Sequence, residues 1–152
     1  MTTIVVSKTH GIIACDLQYS HSSGMKFKGA TKVVKLKKEM SDFMFQSDLA
    51  YIGFCGNADT WGDIVSWFAY PEGKPPRCSG IEMLALTGRN LMYYGSNLKN
   101  WMAMDVPYFS VGSGMHFATA AMESGKTPKE AIRIASKLDP LTGFGVKEYK
   151  IS

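Results

Sequence analysis

The chain is poor in the features that mark several large protein classes. No apolar run approaches the roughly 18 residues that a membrane-spanning helix requires. The opening residues, Met1-Thr2-Thr3-Ile4-Val5-Val6-Ser7-Lys8, lack the basic region ahead of a hydrophobic one that marks an export signal. Both absences point to a cytoplasmic protein without membrane contact. Cysteine is scarce: Cys15, Cys55 and Cys78 form no C-x-x-C pair, and an odd number of thiols in apolar surroundings suits a reducing compartment. His10, His21 and His116 stand far apart, none at ligand spacing from another His or Cys, so no metal site is expected. There is no P-loop, G-x-S-x-G or H-E-x-x-H, and Gly112-Ser113-Gly114 alone is a weak glycine turn. Internal repeats and low-complexity tracts are also missing.

What is present is a chain of 152 residues, 45% hydrophobic and 20% charged, with a net charge of +4. That length fits one domain over 1–152 with a single good core. Its charge is modest for a dedicated nucleic-acid binder.

Short β-branched runs come first. Thr3–Ser7 and Gly11–Cys15 read as a hairpin, followed by a polar stretch through Gln18, Ser20, Ser22, Ser23 and Gly24, then strands at Lys32–Leu36 and Leu49–Cys55. At Asn57-Ala58-Asp59 the period changes. Trp61, Ile64, Val65 and Phe68 form one helical face with Asn57 or Asp59 as N-cap, and the helix must stop before Pro71. A second hairpin, 82–86 with 91–94, brackets Gly88-Arg89-Asn90, and a strand follows at 108–111. One helix is expected through Phe117, Ala118, Ala121 and Met122. Another opens at the capping box Thr127-Pro128-Lys129-Glu130, with Ala131, Ile134, Ala135 and Leu138 as its buried stripe. The tail 146–151 alternates like a strand. This order favours antiparallel sheets with helices stacked outside them, an α+β arrangement.

The chemically informative feature is the N-terminus. Removal of Met1 would leave Thr2 with a hydroxyl and a free α-amine on one residue, and a threonine activated by its own amine is an established nucleophile. An α-amino pKa of about 7.7 to 8.0 leaves an appreciable neutral fraction near neutral pH. A nearby ammonium would acidify the hydroxyl, and a carboxylate would hold that ammonium in place. Asp16 closes one strand and Lys32 opens another, so sheet pairing is expected to bring both beside the terminus.

Several motifs follow one another in an order that resembles proteasome β subunits, and the bacterial HslV peptidase in particular. They are Thr2-Thr3-Ile4-Val5, Ala14-Cys15-Asp16-Leu17-Gln18, Lys28-Gly29-Ala30-Thr31-Lys32-Val33, Gly53-Phe54-Cys55-Gly56-Asn57-Ala58-Asp59, Val111-Gly112-Ser113-Gly114 and Asp139-Pro140-Leu141-Thr142-Gly143. The resemblance implies a four-layer αββα sandwich of two antiparallel sheets, the N-terminal nucleophile (Ntn) hydrolase fold. It implies peptide-bond hydrolysis through an acyl-enzyme on Thr2, without metal or cofactor. By the same resemblance Lys32 tunes the threonine and Asp16 holds the lysine. The Gly53 N–H serves the oxyanion, and Ser113, Asp139 and Thr142 orient the α-amine. Tyr19, Ala30, Val34, Tyr51 and Cys55 would line the pocket for the residue before the cut, with Tyr51 as a floor that admits small or medium apolar side chains. The implied partners are peptide or unfolded protein as substrate, further copies of the chain in a ring, and an ATP-driven unfoldase. The chain is shorter than the family pattern between Phe68 and Glu82, where a prolyl loop replaces helix, so truncated helices are expected in the 60–80 region.

Two other readings use the same residues. One is a non-catalytic relative that keeps the sandwich for assembly or for binding a host protein. The other takes Lys26, Lys28, Lys32, Lys35, Lys37 and Lys38, with Phe27 for stacking, as a nucleic-acid surface. Strand alternation disfavours it, because Lys35 and Lys37 share one face while Lys32 and Val34 share the other.

Overall fold

The computed structural model describes residues 2–21, 23–88, 90–95 and 100–151. Met1, Ser22 of the polar stretch and Arg89 of the second hairpin turn therefore lie outside the described residues. In chain order the elements begin with β1 (Thr3–Ser7), β2 (Ile12–Asp16), β3 (Gln18–Ser20), β4 (Lys26–Lys28), β5 (Val33–Lys35) and α1 (Lys38–Phe45). Then come β6 (Ala50–Gly56), α2 (Ala58–Ala69), β7 (Ile81–Thr87), β8 (Leu91–Tyr94), β9 (Met102–Met104) and β10 (Tyr108–Gly112). The chain closes with α3 (Met115–Glu123), α4 (Pro128–Leu138) and β11 (Val146–Lys150).

The expected hairpin forms, with Ile4 opposite Cys15 and Ser7 opposite Ile12. It is the centre of a four-stranded antiparallel sheet in the order β10-β1-β2-β11. A second antiparallel sheet runs β5-β6-β7-β8-β9, and β3 with β4 makes a separate two-stranded ribbon.

Alternation along each strand sorts side chains into three cores. Ile4, Val6, Ile13 and Cys15 face the second sheet and meet Val33, Cys55, Leu84 and Leu91. Val5 and Ala14 point the other way, onto Ala118, Ala121, Ala131 and Ala135 of α3 and α4. Beyond the second sheet, Ile52, Phe54 and Met83 pack on Met40 of α1 and on Trp61, Ile64 and Phe68 of α2. The stacking is helices, sheet, sheet, helices. Each fully buried Ile, Val or Leu contributes about 1.5 to 3 kcal/mol by leaving water, which explains how strands this short stay paired.

The cap signals are used as written. Asn57 Oδ1 accepts from the N–H groups of Asp59 and Thr60. Thr127 and Glu130 form the reciprocal capping box, with Pro128 in the first turn. After α2 the segment 71–80 contains no helix, as the prolines require.

Four features depart from expectation. α1 forms where no helix was expected, laying Met40, Met44 and Phe45 on the helix-side core while its Phe43 is 79% exposed. The ribbon β3–β4 arises inside the polar stretch, and β9 precedes the strand expected at 108–111. In α4, Leu138 is 58% exposed, and the buried positions are Pro128, Ala131, Ile132 and Ala135. That face continues onto Asp139, which is buried. The turn of the helix thus gives the last inward position to a carboxylate and leaves Leu138 outside.

Candidate active site

β1 carries Thr2 at its leading end, and Thr2 is buried, 4% exposed. Ser113 N–H donates to the Thr2 carbonyl at 2.8 Å. This contact requires glycine at 112, where φ is +101° and any Cβ would overlap that carbonyl.

Lys32 Nζ and Asp16 Oδ1 form a buried ion pair at 2.9 Å. The route differs from the expected sheet pairing. Asp16 ends β2 of the first sheet, whereas Lys32 directly precedes β5 of the second, so the two meet across the sandwich. Lys32 also donates to the Gln18 carbonyl at 2.6 Å, and its Nζ lies 4.9 Å from the Tyr19 ring centroid. Burial pushes the Lys32 ammonium below its ordinary value, while the Asp16 charge opposes that shift. Asp16 is held by more than the lysine. Its Oδ1 also accepts from Thr3 N–H at 3.0 Å, and its Oδ2 from the N–H groups of Gln18 at 3.3 Å and Gly143 at 3.1 Å.

Asp139 gathers the remaining polar candidates. Ser113 Oγ and Thr142 Oγ1 donate to its Oδ2 at 2.5 and 2.6 Å, and Leu141 N–H donates to its Oδ1 at 3.1 Å. Burial acts to raise the carboxyl pKa, but these hydrogen bonds hold it below the usual value. Thr142 Oγ1 also lies 2.7 Å from Thr3 Oγ1, which ties this cluster to the residue after Thr2.

Thr2 and Lys32 line one cleft of about 390 Å³, with Gln18, Tyr19, Ser20, His21 and Leu141 on one side and Phe54, Gly56, Asn57 and Ala58 on the other. A larger hollow of about 520 Å³ lies at the opposite end of β6, around Ser47, Leu49 and Asn90. It contains none of the groups just described, so size alone does not mark the site.

Ladder parity corrects the glycine expected to serve an oxyanion. Gly53 sits in mid-strand opposite Val33 and Leu84, with Ile4, Ile13 and Val33 crowding the space that a Cβ would need. Phe54 N–H donates to the Lys32 carbonyl and Asn57 N–H to the Gly80 carbonyl. Successive N–H groups alternate in direction along a strand. The Gly53 N–H therefore points into the pairing with β7. Gly56 has the parity of Phe54, lies beyond the end of β5, and lines the cleft.

Of the five expected pocket residues, Tyr19 lines the cleft. The other four do not. Ala30 is exposed, with its carbonyl accepting Tyr19 Oη at 3.2 Å. Val34 packs on the helix-side core, whereas Tyr51 and Cys55 face the core between the sheets, where Tyr51 packs against Tyr149 at 5.3 Å. Their place in the wall is taken by Phe54 and by the 56–58 turn. The ring of Phe54 is stacked on Trp61 at 4.3 Å. The expectation missed Gln18, Ser20, His21, Phe54, Gly56, Asn57, Ala58 and Leu141, and only ladder parity applied to Gly53-Phe54-Cys55-Gly56 could have found part of this set.

The thiols take no part in the cleft wall. Burial pushes Cys55 up to about 12, with the Glu82 charge adding to it, and burial also raises Cys15. Among the six lysines considered as a surface, Lys32 is buried, while Lys26, Lys28, Lys35, Lys37 and Lys38 are exposed. Among the described residues no helix is long and apolar enough to cross a membrane.

No protein-family model matches the chain, and no curated protein matches it in sequence. Solved structures do match. Eukaryotic HslV from Trypanosoma brucei superposes with a TM-score of 0.70 at 16% identity, over 97% of this chain and 98% of that one. Thiobacillus denitrificans BPH, in complex with epoxomicin, gives 0.74 at 14% identity over 99% and 98%. The Gly-1 mutant of Anbu from Hyphomicrobium sp. strain MC1 gives 0.71 at 10% identity, over 99% of this chain and 82% of that chain. At these identities the likeness is one of fold, and it spans nearly the whole chain.

Proposed function

From the HslV/proteasome-like N-terminal nucleophile fold of this chain, we propose that it hydrolyses peptide bonds with Thr2 as nucleophile once Met1 has been removed. The observation that carries this reading is the shared cleft of Thr2 and Lys32, with Lys32 anchored to Asp16.

In this mechanism the free α-amine of Thr2 takes the proton from Thr2 Oγ1 as that oxygen attacks the substrate carbonyl. The Lys32 ammonium favours the developing alkoxide by its charge. Gly56 takes the role expected of Gly53 and donates its N–H to the oxyanion, a contact worth about 3 to 4 kcal/mol in acyl-transfer barriers. On collapse the C–N bond breaks, the leaving amine takes the proton back from the α-ammonium, and an ester remains on Thr2. Water then attacks the ester with the same amine as base, which frees the acid product and restores Thr2. Ser113, Asp139 and Thr142 keep the amine oriented through the hydrogen bonds around Thr2 and Thr3.

The substrate side chain before the cut packs beside Tyr19 and against Phe54, whose stacking on Trp61 limits the depth available and favours small or medium apolar groups. The protein acts as a homo-oligomeric ring on peptides or unfolded protein supplied by an ATP-driven unfoldase. Near-complete coverage of an HslV chain supports that assembly.

The test combines mass and activity. The purified protein is expected to begin at Thr2, to hydrolyse fluorogenic peptides, and to gain the mass of epoxomicin; Thr2→Ala is expected to lose both the hydrolysis and the adduct. Hydrolysis at the wild-type rate in Thr2→Ala would overturn the reading.

A further inference from the structure

Gln18 stands between the two halves of the site. Its main chain belongs to the ion pair: the N–H donates to Asp16 Oδ2 at 3.3 Å, and the carbonyl accepts from Lys32 Nζ at 2.6 Å. Its side chain crosses to the other half, where Nε2 donates to the Pro140 carbonyl at 2.9 Å. Pro140 lies between Asp139, which receives Ser113 and Thr142, and Leu141, which lines the cleft. Gly143 N–H then returns to Asp16 Oδ2. Through the main chain of 140–143, these bonds join Asp16, Gln18, Pro140 and Gly143 in one closed circuit beside the cleft.

Chemistry gives this amide a definite task. Proline has no N–H, so the carbonyl is the only main-chain handle at position 140. Gln18 is 5% exposed, so its amide reaches that carbonyl from within the fold. The adjoining loop leaves room for it as well: a Cβ at Gly143 would sit 2.8 Å from Gln18 Oε1. From the solvent side, Lys26 Nζ donates to the same carbonyl at 2.7 Å, but an exposed lysine bond competes with water.

We propose that Gln18 is a positioning residue that locks the Lys32–Asp16 pair in register with the Asp139–Gly143 loop, so that Thr2 stays aligned for attack. This rests on the threonine-peptidase reading above. It concerns Gln18's side chain, which touches no reacting atom.

Gln18→Met keeps length and volume but removes the donor. Misplacement of a reacting group by about 1 Å costs on the order of 100-fold in rate, so in the Met1-free full-length protein kcat is expected to fall about 10- to 100-fold. KM is expected to stay within about twofold, because the loss concerns alignment and not ground-state binding. Amide hydrogen exchange over residues 139–143 is expected to speed up about tenfold or more as the loop opens locally. Gly143→Ala, which crowds the amide while keeping Gln18, is expected to give the same split between kcat and KM. Unchanged exchange in both variants overturns the inference whether or not peptide is hydrolysed, and so does a kcat within about twofold of wild type. A fully active Gln18→Met beside an inactive Thr2→Ala removes this inference alone. A Thr2→Ala variant with full activity removes the parent reading and this inference with it.

Discussion

Lys32 and Asp16 touch at 2.9 Å with 1% and 0% of their side chains exposed, although Asp16 ends a strand of one sheet and Lys32 directly precedes a strand of the other. Removing one member of such a pair leaves the other as an uncompensated buried charge, at a cost of about 3 to 5 kcal/mol. Lys32→Met and Asp16→Asn are each expected to lower unfolding free energy by about that amount in urea titrations and to abolish peptide hydrolysis. The double variant recovers part of the stability and none of the activity. Lys32→Arg does not restore turnover, because a planar guanidinium cannot meet the contacts that a compact ammonium makes with Asp16 and Gln18.

Gly53 and Gly56 are expected to separate packing from catalysis. A Cβ at 53 would meet Ile4 Cγ2 at 2.9 Å, so Gly53→Ala is expected to cost about 1 to 3 kcal/mol of stability by overpacking, with kcat preserved at temperatures where the fold survives. At 56, φ is +116° and a Cβ would collide with the Gly80 carbonyl. Gly56→Ala is expected to turn the N–H out of the cleft and lower kcat by about 100- to 1000-fold. Steady-state kinetics with parallel thermal melts distinguishes the two outcomes.

Acid is expected to unlock the Asp139 cluster. Its carboxyl is held below the ordinary value of 3.8 in the fold, so on acidification the unfolded chain takes up a proton there before the folded chain does. The stabilisation is therefore fully present above about pH 4 and is lost as pH falls through the lowered folded pKa. Urea midpoints measured down this range should decline less steeply in Asp139→Asn than in wild type. Equal slopes would remove Asp139 as a source of the decline.

The thiols are expected to be bystanders. With Cys55 pushed up to about 12, only on the order of one molecule in ten thousand carries its thiolate at pH 8. Iodoacetamide is expected to leave Cys15 and Cys55 unmodified in the native protein and to label all three cysteines after unfolding. Peptide hydrolysis should survive native-state treatment, as followed by intact mass and residual activity.

Local chemistry made much of this fold legible in the sequence. The β1–β2 hairpin and the two outer helices of the C-terminal half were readable because short continuous β-branched runs, helical apolar spacing and the Thr127–Glu130 box carry their own signals. α1 is short and its signal is weaker: Met40, Met44 and Phe45 face the core, but Phe43 among them points outward. Asp16 and Lys32 could be named from their residue types and spacing, but their meeting across two sheets depends on layer stacking, which no spacing encodes. The choice between Gly53 and Gly56 needs the strand register and the point where β5 ends. Both are non-local. Leu138 misled because the inward face of α4 turns onto Asp139, whose carboxylate is taken up by Ser113, Thr142 and Leu141.

Asp16 receives four donors, from Thr3, Gln18, Lys32 and Gly143, which occupies all of the roughly four acceptor positions of a carboxylate. The last donor comes from 127 residues further along the chain. During synthesis, the lysine and carboxylate can emerge long before Gly143, yet their anchorage stays incomplete until that amide is added. A ribosome-bound fragment ending at position 142 would thus hold Asp16 and Lys32 with one acceptor position of the carboxylate still unfilled.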